Sequence, residues 1–205
     1  MIAGQVAQAG STERAVAAIG RAGNNITVND IAIDDIRLRA MRESDLADFH
    51  AYRSDPQVAR YQGWQPMDEA RALAFLREQN NRSALEPGRW VRLAIADTPT
   101  DRLLGDIGLW LSHDRLEAEL AITVAPSAQR RGVARSAIRA AFVLLSGEPV
   151  LERIRADADA RNLPSRRMLV AAGFREIGTA EVFVKEEACI EHRYRVERET
   201  FAPAL

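Results

Sequence analysis

The stretch with the most chemistry in it is Val124-Ala125-Pro126 followed by Gln129-Arg130-Arg131-Gly132-Val133-Ala134-Arg135. A strand end passes through a proline and a basic turn into a helix whose apolar residues recur at helical spacing. The first amides of a helix lack carbonyl partners and carry positive partial charge, so they attract anions. Gly132 leaves the backbone open to close approach, and Arg130 and Arg131 add charge at the rim, which suits a diphosphate. Taken alone, the same segment also reads as a solvated basic turn. It is not a Walker loop, which ends in Gly-Lys-Ser/Thr, and it lacks the three glycines of a dinucleotide fingerprint.

Other chemistries find little support. His50, His113 and His192 are scattered, and the single Cys189 has no partner at zinc-ligand spacing, so no metal is expected. Cys189 reads as a small core residue. The chain has 205 residues, 47% of them hydrophobic and 28% charged, enough for one domain with an appendage. A net charge of -1 and a pI near 6.3 provide no global field for nucleic acid or an anionic membrane, and leave room only for a local basic patch. No apolar run approaches the ~18 residues of a membrane span and no secretory signal is recognisable. The expectation is a cytoplasmic protein, monomer or homodimer, with neither nucleic acid nor membrane as partner. Lys185 is the single lysine among 28 basic residues. Genomic base composition accounts for that more plainly than selection for phosphate-gripping arginine.

Residues 1–35 are rich in Ala and Gly and poor in large apolar side chains, and read as an extension with one short helix over Thr12 to Ile19. Dense patterning starts at Ile36. A strand, Ile36 to Arg39, is followed by three helical pieces opened by Glu43-Ser44-Asp45, by Asp55-Pro56 and by Asp68. Strands over Arg89–Ala96, Leu103–Trp110 and Ala118–Ala125 form an antiparallel meander. The helix after Arg131 leads into a strand over Arg153–Asp159, a strand-helix-strand passage that implies a parallel pairing. A short helix from Pro164 to Ala172, punctuated by Gly173, precedes strands around Phe174–Thr179 and Ile190–Val196. Residues 36–198 are thus expected as one domain, with 199–205 as a tail.

Six segments, in order and spacing, carry a family resemblance: "RLRAMRESD", "SDPQVARYQGW", "RLLGDIGLWL", "AELAITVAP" with its basic loop, "DARNLPSRRMLVAAGF" and "AEVFVK". Together, over about Ile36 to Val196, they resemble the GNAT N-acetyltransferase superfamily, and within it the branch related to the ribosomal-protein N-terminal acetyltransferases. The resemblance implies an α+β fold: a mixed, mostly antiparallel sheet with one parallel pair splayed at the acyl-coenzyme A site and helices on both faces. It implies acetyl transfer from acetyl-CoA to a primary amine, of a protein N-terminus or a small molecule, by direct attack in a ternary complex. The pantetheine arm would run beside Ile122, Thr123 and Val124, the diphosphate would rest on Gln129 to Arg135, and Asn162 and Ser165 would lie near the pantetheine or thiol. On local grounds Asn162 is equally a turn residue and Ser165 an early-helix hydroxyl. Many relatives place a tyrosine two helical turns after that Asn, as acid for the leaving thiolate. Here the position is Leu169, which leaves water or Ser165 for that role. Glu119 and Glu181 are the two candidate bases, and each also reads as a solvent-facing strand-end charge. Trp64 is the expected acceptor-pocket aromatic, with Trp90 and Trp110 read as core. The absent tyrosine keeps a second reading open, a non-catalytic acyl-CoA sensor or partner-binding module.

Overall fold

The computed structural model describes residues 20–23, 25–27, 30–82 and 84–202. The helix expected over Thr12 to Ile19 lies outside them. In chain order the strands are β1 (Gly20–Ala22), β2 (Asn25–Thr27), β3 (Ile31–Ile33), β4 (Ile36–Ala40), β5 (Ala84–Leu85), β6 (Val91–Asp97), β7 (Leu103–Leu111), β8 (Glu117–Val124), β9 (Arg153–Asp159), β10 (Arg175–Val184) and β11 (Glu187–Glu197). The helices are α1 (Leu46–Arg53), α2 (Pro56–Ala59), α3 (Glu69–Asn80), α4 (Val133–Ser146), α5 (Leu163–Ala171) and α6 (Arg198–Phe201). Eight strands form one sheet in the order β10-β11-β9-β8-β7-β6-β4-β3, and β1, β2 and β5 form a small second one. Its pairings are antiparallel apart from β8 with β9, the pair expected from the strand-helix-strand passage.

Three of the helices, α2, α3 and α5, begin at a residue whose side chain caps them. Asp68 accepts the Arg71 amide at the head of α3 and Asp55 accepts the Gln57 amide at the head of α2, which has Pro56 in its first turn. In α4, Val133, Ala137, Ile138, Ala141, Leu144 and Leu145 are buried, and the alanines let it lie close across β3, β4 and β8. Within the stretch 1–35, residues 31–33 belong to the main sheet: Ile31 pairs with Leu38, and Ile31 and Ile33 are buried in the core. At the other end Phe201 is buried, with its ring 6.0 Å from that of Phe142. The sheet thus begins before Ile36, and core packing extends into 199–205.

Two ionic clusters fix the N-terminal half of the sheet. Asp106 of β7 is fully buried and accepts from Tyr52 Oη at 2.7 Å, from Arg53 Nη2 at 2.8 Å to both carboxylate oxygens, and from Arg92 Nη1 at 2.8 Å. It thereby anchors α1 to the sheet. Despite that burial, the guanidinium charges of Arg53 and Arg92 hold its carboxyl below the ordinary range. In the β6–β7 turn, Asp101 receives Arg37 at 2.6 Å, Arg39 at 2.8 Å and Arg42 at 2.7 Å. The hydrogen bonds of Arg37, foremost, and of Arg39 lower its pKa to about 2.

Candidate active site

β8 and β9 stay paired only over Glu117↔Arg153, Ala118↔Ile154 and Glu119↔Arg155. β8 continues to Val124 bonded to β7, and β9 to Asp159 bonded to β11. From Leu120 and Ala156 onward the two strands part, and the inner backbone edges face a gap. Peptide groups in such a gap need partners, and an extended amide-bearing chain supplies them as an added strand would.

A cleft runs through this gap. It is bounded by Leu120 to Ile122 and by Ala156 to Asp159, with Asn162, Ser165, Met168 and Leu169 toward α5 and with Tyr61, Gln62 and Glu191 toward the α2 side. Strand register assigns the faces, because paired residues share a face and neighbours in sequence alternate. Glu119 pairs with Arg155, Asp157 with Arg193 and Asp159 with Glu191, so these side chains share the face that carries Asp106 and α1. Tyr194 lies on the opposite face and receives the Arg166 Nε of α5 at 3.1 Å, which places α5 there. The cleft therefore joins the two faces of the sheet.

At the α5 end, Asn162 is the N-cap, its Oδ1 accepting the Ser165 amide at 3.3 Å. Capping α5 does not remove Asn162 from the cleft, which both it and half-buried Ser165 line. Leu169 is buried and gives this wall an apolar surface where many relatives have a phenol.

The basic loop lies at the far end of β8. Arg130 has φ 60° and Gly132 φ 81°, and two left-handed residues within three turn the chain sharply into α4. The first α4 bond of this kind runs from the Ser136 amide to the Gly132 carbonyl. The amides of Val133, Ala134 and Arg135 are thus left without intrahelical partners. No acidic residue lies in that first turn, and Arg130, Arg131 and Arg135 are exposed. Val133 itself is buried, and a Cβ built on Gly132 meets no heavy atom within 4 Å. Gln129 Nε2 donates to the Val124 carbonyl at 3.1 Å, tying the loop to the strand end. Ile122 and Val124 are half-buried on the α4 side, while Thr123 is buried on the other with its hydroxyl unpartnered. What this terminus can hold is an anion, next to a gap that can hold an extended chain.

The two candidate bases separate. Glu181 pairs with Ile190, one residue out of phase with Glu191, so it lies on the α5 face, exposed and away from the cleft. Glu119 stands on the α1 face at the last paired position before the strands part. Burial raises its pKa, Arg155 at 3.9 Å opposes that, and Asp157, Glu117 and Glu191 add to it. Asp157 and Glu191 are also raised, chiefly by burial, and one Asp157 oxygen is buried without a partner. Tyr61, Gln62, Asp157 and Glu191 line the cleft without having been expected from the sequence. For Asp157 the strand alternation Asp157-Ala158-Asp159 was the visible signal.

Trp64 is half-buried, with the Arg53 guanidinium 4.3 Å from its ring centre, so it extends the Asp106 cluster instead of lining the cleft. Trp90 and Trp110, expected in the core, are half-buried, and Trp110 pairs with Glu119. Among the described residues no group of three or more His, Cys, Asp or Glu is arranged to hold a metal, and no helix is long and apolar enough to cross a membrane.

Residues 35–175 match the family model described as the acetyltransferase (GNAT) domain. No curated protein matches the sequence. Among solved structures, a GNAT-family acetyltransferase from Bacillus anthracis is 21% identical, with a TM-score of 0.74 over 83% of this chain and 99% of its own. Spermidine N-acetyltransferase from Vibrio cholerae, solved with CoA and spermine, is 20% identical, with a TM-score of 0.68 over 82% of this chain and 98% of its own. A putative ribosomal-protein-serine acetyltransferase from Vibrio cholerae is 15% identical, with a TM-score of 0.69 over 82% and 97%.

Proposed function

The chain belongs to the GNAT acetyltransferase family, and from that premise we propose that it moves an acetyl group from acetyl-CoA to a primary amine by direct attack in a ternary complex. One observation carries the reading: a cleft at the parting of β8 and β9 connects Asn162 and Ser165 on one face with Asp157 and Glu191 on the other. Donor and acceptor meet across the sheet. The diphosphate rests on the amides of Val133 to Arg135 under Arg130 and Arg131, the pantetheine arm fills the strand gap beside Ile122 to Val124, and the thioester reaches the cleft near Ser165.

The acceptor arrives on the α1 face, where carboxylates favour a protonated amine from a small molecule or a protein N-terminus. Transfer needs the neutral amine. Glu119 takes its proton through water, a role suited to a carboxylate whose pKa burial has raised. The amine nitrogen bonds to the thioester carbon, the carbon–sulfur bond breaks, and the thiolate is protonated by water or the Ser165 hydroxyl. Kinship with the ribosomal-protein branch rests on the sequence segments and on one structural likeness at 15% identity. The buried, apolar Leu169 favours the second reading, an acyl-CoA sensor or partner-binding module.

Calorimetry with acetyl-CoA, followed by thiol release in the presence of spermidine, n-butylamine and an alanine-initiated peptide, separates the two. Binding with turnover on one of these acceptors is the expected result. Binding without turnover on a broad amine panel supports the sensor, and no coenzyme binding overturns both.

A further inference from the structure

We infer that Lys185 and Arg161 form a clasp that positions the acceptor wall of the cleft, which rests on reading that cleft as the transfer site. The β10–β11 hairpin closes at Val184↔Glu187, leaving Lys185 and Glu186 as a two-residue turn with φ of 54° and 67°. Both residues are left-handed, as a hairpin turn of this kind requires, yet neither is the Gly, Asn or Asp that such positions favour. Backbone strain of this sort persists where surrounding contacts hold it. The contact here belongs to the chain's single lysine: Lys185 Nζ donates to the Ala59 carbonyl at 2.6 Å and lies 3.5 Å from that of Arg60. The next residues along, Tyr61 and Gln62, line the cleft.

Arg161 closes the other side. Its Nη1 meets Glu187 at 2.8 Å, its Nε and Nη2 donate to the two Asp159 oxygens at 3.0 and 2.8 Å, and its guanidinium lies 5.7 Å from the Tyr61 ring centre. The hairpin tip, the end of α2 and the β9–α5 turn, far apart in sequence, are thus linked into a ring around the acceptor end. Tyr61 and Asp159 belong to both the ring and the cleft wall. Asp159 is committed to Arg161, which leaves Asp157 and Glu191 facing the cleft to meet the incoming ammonium.

Lys185, on the hairpin tip, lies away from the expected path of the coenzyme, whereas Arg161 precedes Asn162, so an effect on acceptor binding alone is expected of the Lys185 contact. Lys185→Met is expected to raise the acceptor KM about tenfold, with kcat and coenzyme affinity within about twofold of wild type, as for displacement of a positioning wall. Lys185→Arg, which keeps a charged donor at the tip, is expected to restore most of the loss. Arg161→Met should also raise the acceptor KM, and in that constant the double variant should lose less than the product of the single losses, because both hold one wall. An unchanged acceptor KM in folded Lys185→Met, or equal losses in acceptor and coenzyme binding, overturns the clasp. Hydrogen exchange over residues 58–62 reads the clasp without turnover. Faster exchange in Lys185→Met supports it and unchanged exchange refutes it, whereas wild-type protein inactive on every amine overturns the transfer reading instead.

Discussion

Replacing Gly132 by alanine tests the anion cradle with two readouts that must diverge. At φ 81° an added Cβ meets no protein atom within 4 Å, so the protein without ligand bears backbone strain and no clash. A left-handed non-glycine residue costs ~1–2 kcal/mol. For a chain of this size that lowers Tm by roughly 2–8 °C. Coenzyme binding should suffer more, because the new methyl enters the open space at the head of α4 where the diphosphate is proposed to rest. If it displaces the diphosphate from a single charge-assisted hydrogen bond, ~1.5–3 kcal/mol is lost. That is a rise in Kd of roughly ten- to 150-fold.

Gly23 provides the control: its φ is 61°, a Cβ there also meets nothing within 4 Å, and it lies in the β1–β2 turn. Gly23→Ala should lower Tm comparably and leave CoA affinity unchanged. Titration calorimetry with CoA and thermal melts of the two variants make the comparison. Wild-type CoA affinity in Gly132→Ala, or equal weakening in Gly23→Ala, would refute the cradle.

Glu119→Gln should abolish the acid limb of the rate profile, which in wild type rises with pH through a pKa above the usual carboxylate range, and should lower turnover by about 10²–10⁴-fold with coenzyme affinity intact. Because folding raises this pKa, the carboxyl's contribution to stability is present at low pH and lost as pH rises through the folded value, so the variant should melt no lower than wild type at pH 7. Asp106→Asn leaves the buried Arg53 without its counter-charge, and denaturant melts should show a loss of about 3–5 kcal/mol. Trp64 fluorescence should change with it, since that ring rests on Arg53. Asp101→Asn addresses acid stability: with the folded pKa at about 2 against an ordinary 3.8, wild type keeps the Asp101 contribution above that ordinary value and loses it as pH falls through the folded one. The variant should be less stable at neutral pH and have a flatter pH–stability curve across that interval. An unchanged slope there counts against the Arg37–Arg39–Arg42 cluster.

The loop was legible because its signals are local. Pro126, the arginines and Gly132 sit within a few residues of one another, and the apolar stripe of α4 starts at once. The long strands were legible for the same reason, whereas β10 was expected to end at Thr179 and runs to Val184. It is an edge strand with most positions exposed, so burial imposes little apolar alternation on it. β3 escaped notice because three residues, Ile31-Ala32-Ile33, are too short to show a period. Trp64 drew attention by its type, yet its place was decided by Arg53, whose own position depends on Asp106 more than 50 residues away.

The sequence by itself determined the order of the longer strands and helices and the basic turn before α4, since each depends on residue type within a few positions along the chain, and, through six such segments in register, the family. Only the tertiary structure decided which carboxylates gather on one side of the cleft: Asp157 and Glu191 line it, and Glu119 shares their face one residue before its wall begins at Leu120. Alternation tells a residue's side relative to its own strand, but which side meets α1 is set by register between strands. That register puts Glu119 with Asp157 and Glu191 and sends Glu181 to the opposite face. The arrival of Tyr61 and Lys185 from remote segments at one rim is long-range in the same sense: their partners are fixed by packing, and no local period records it.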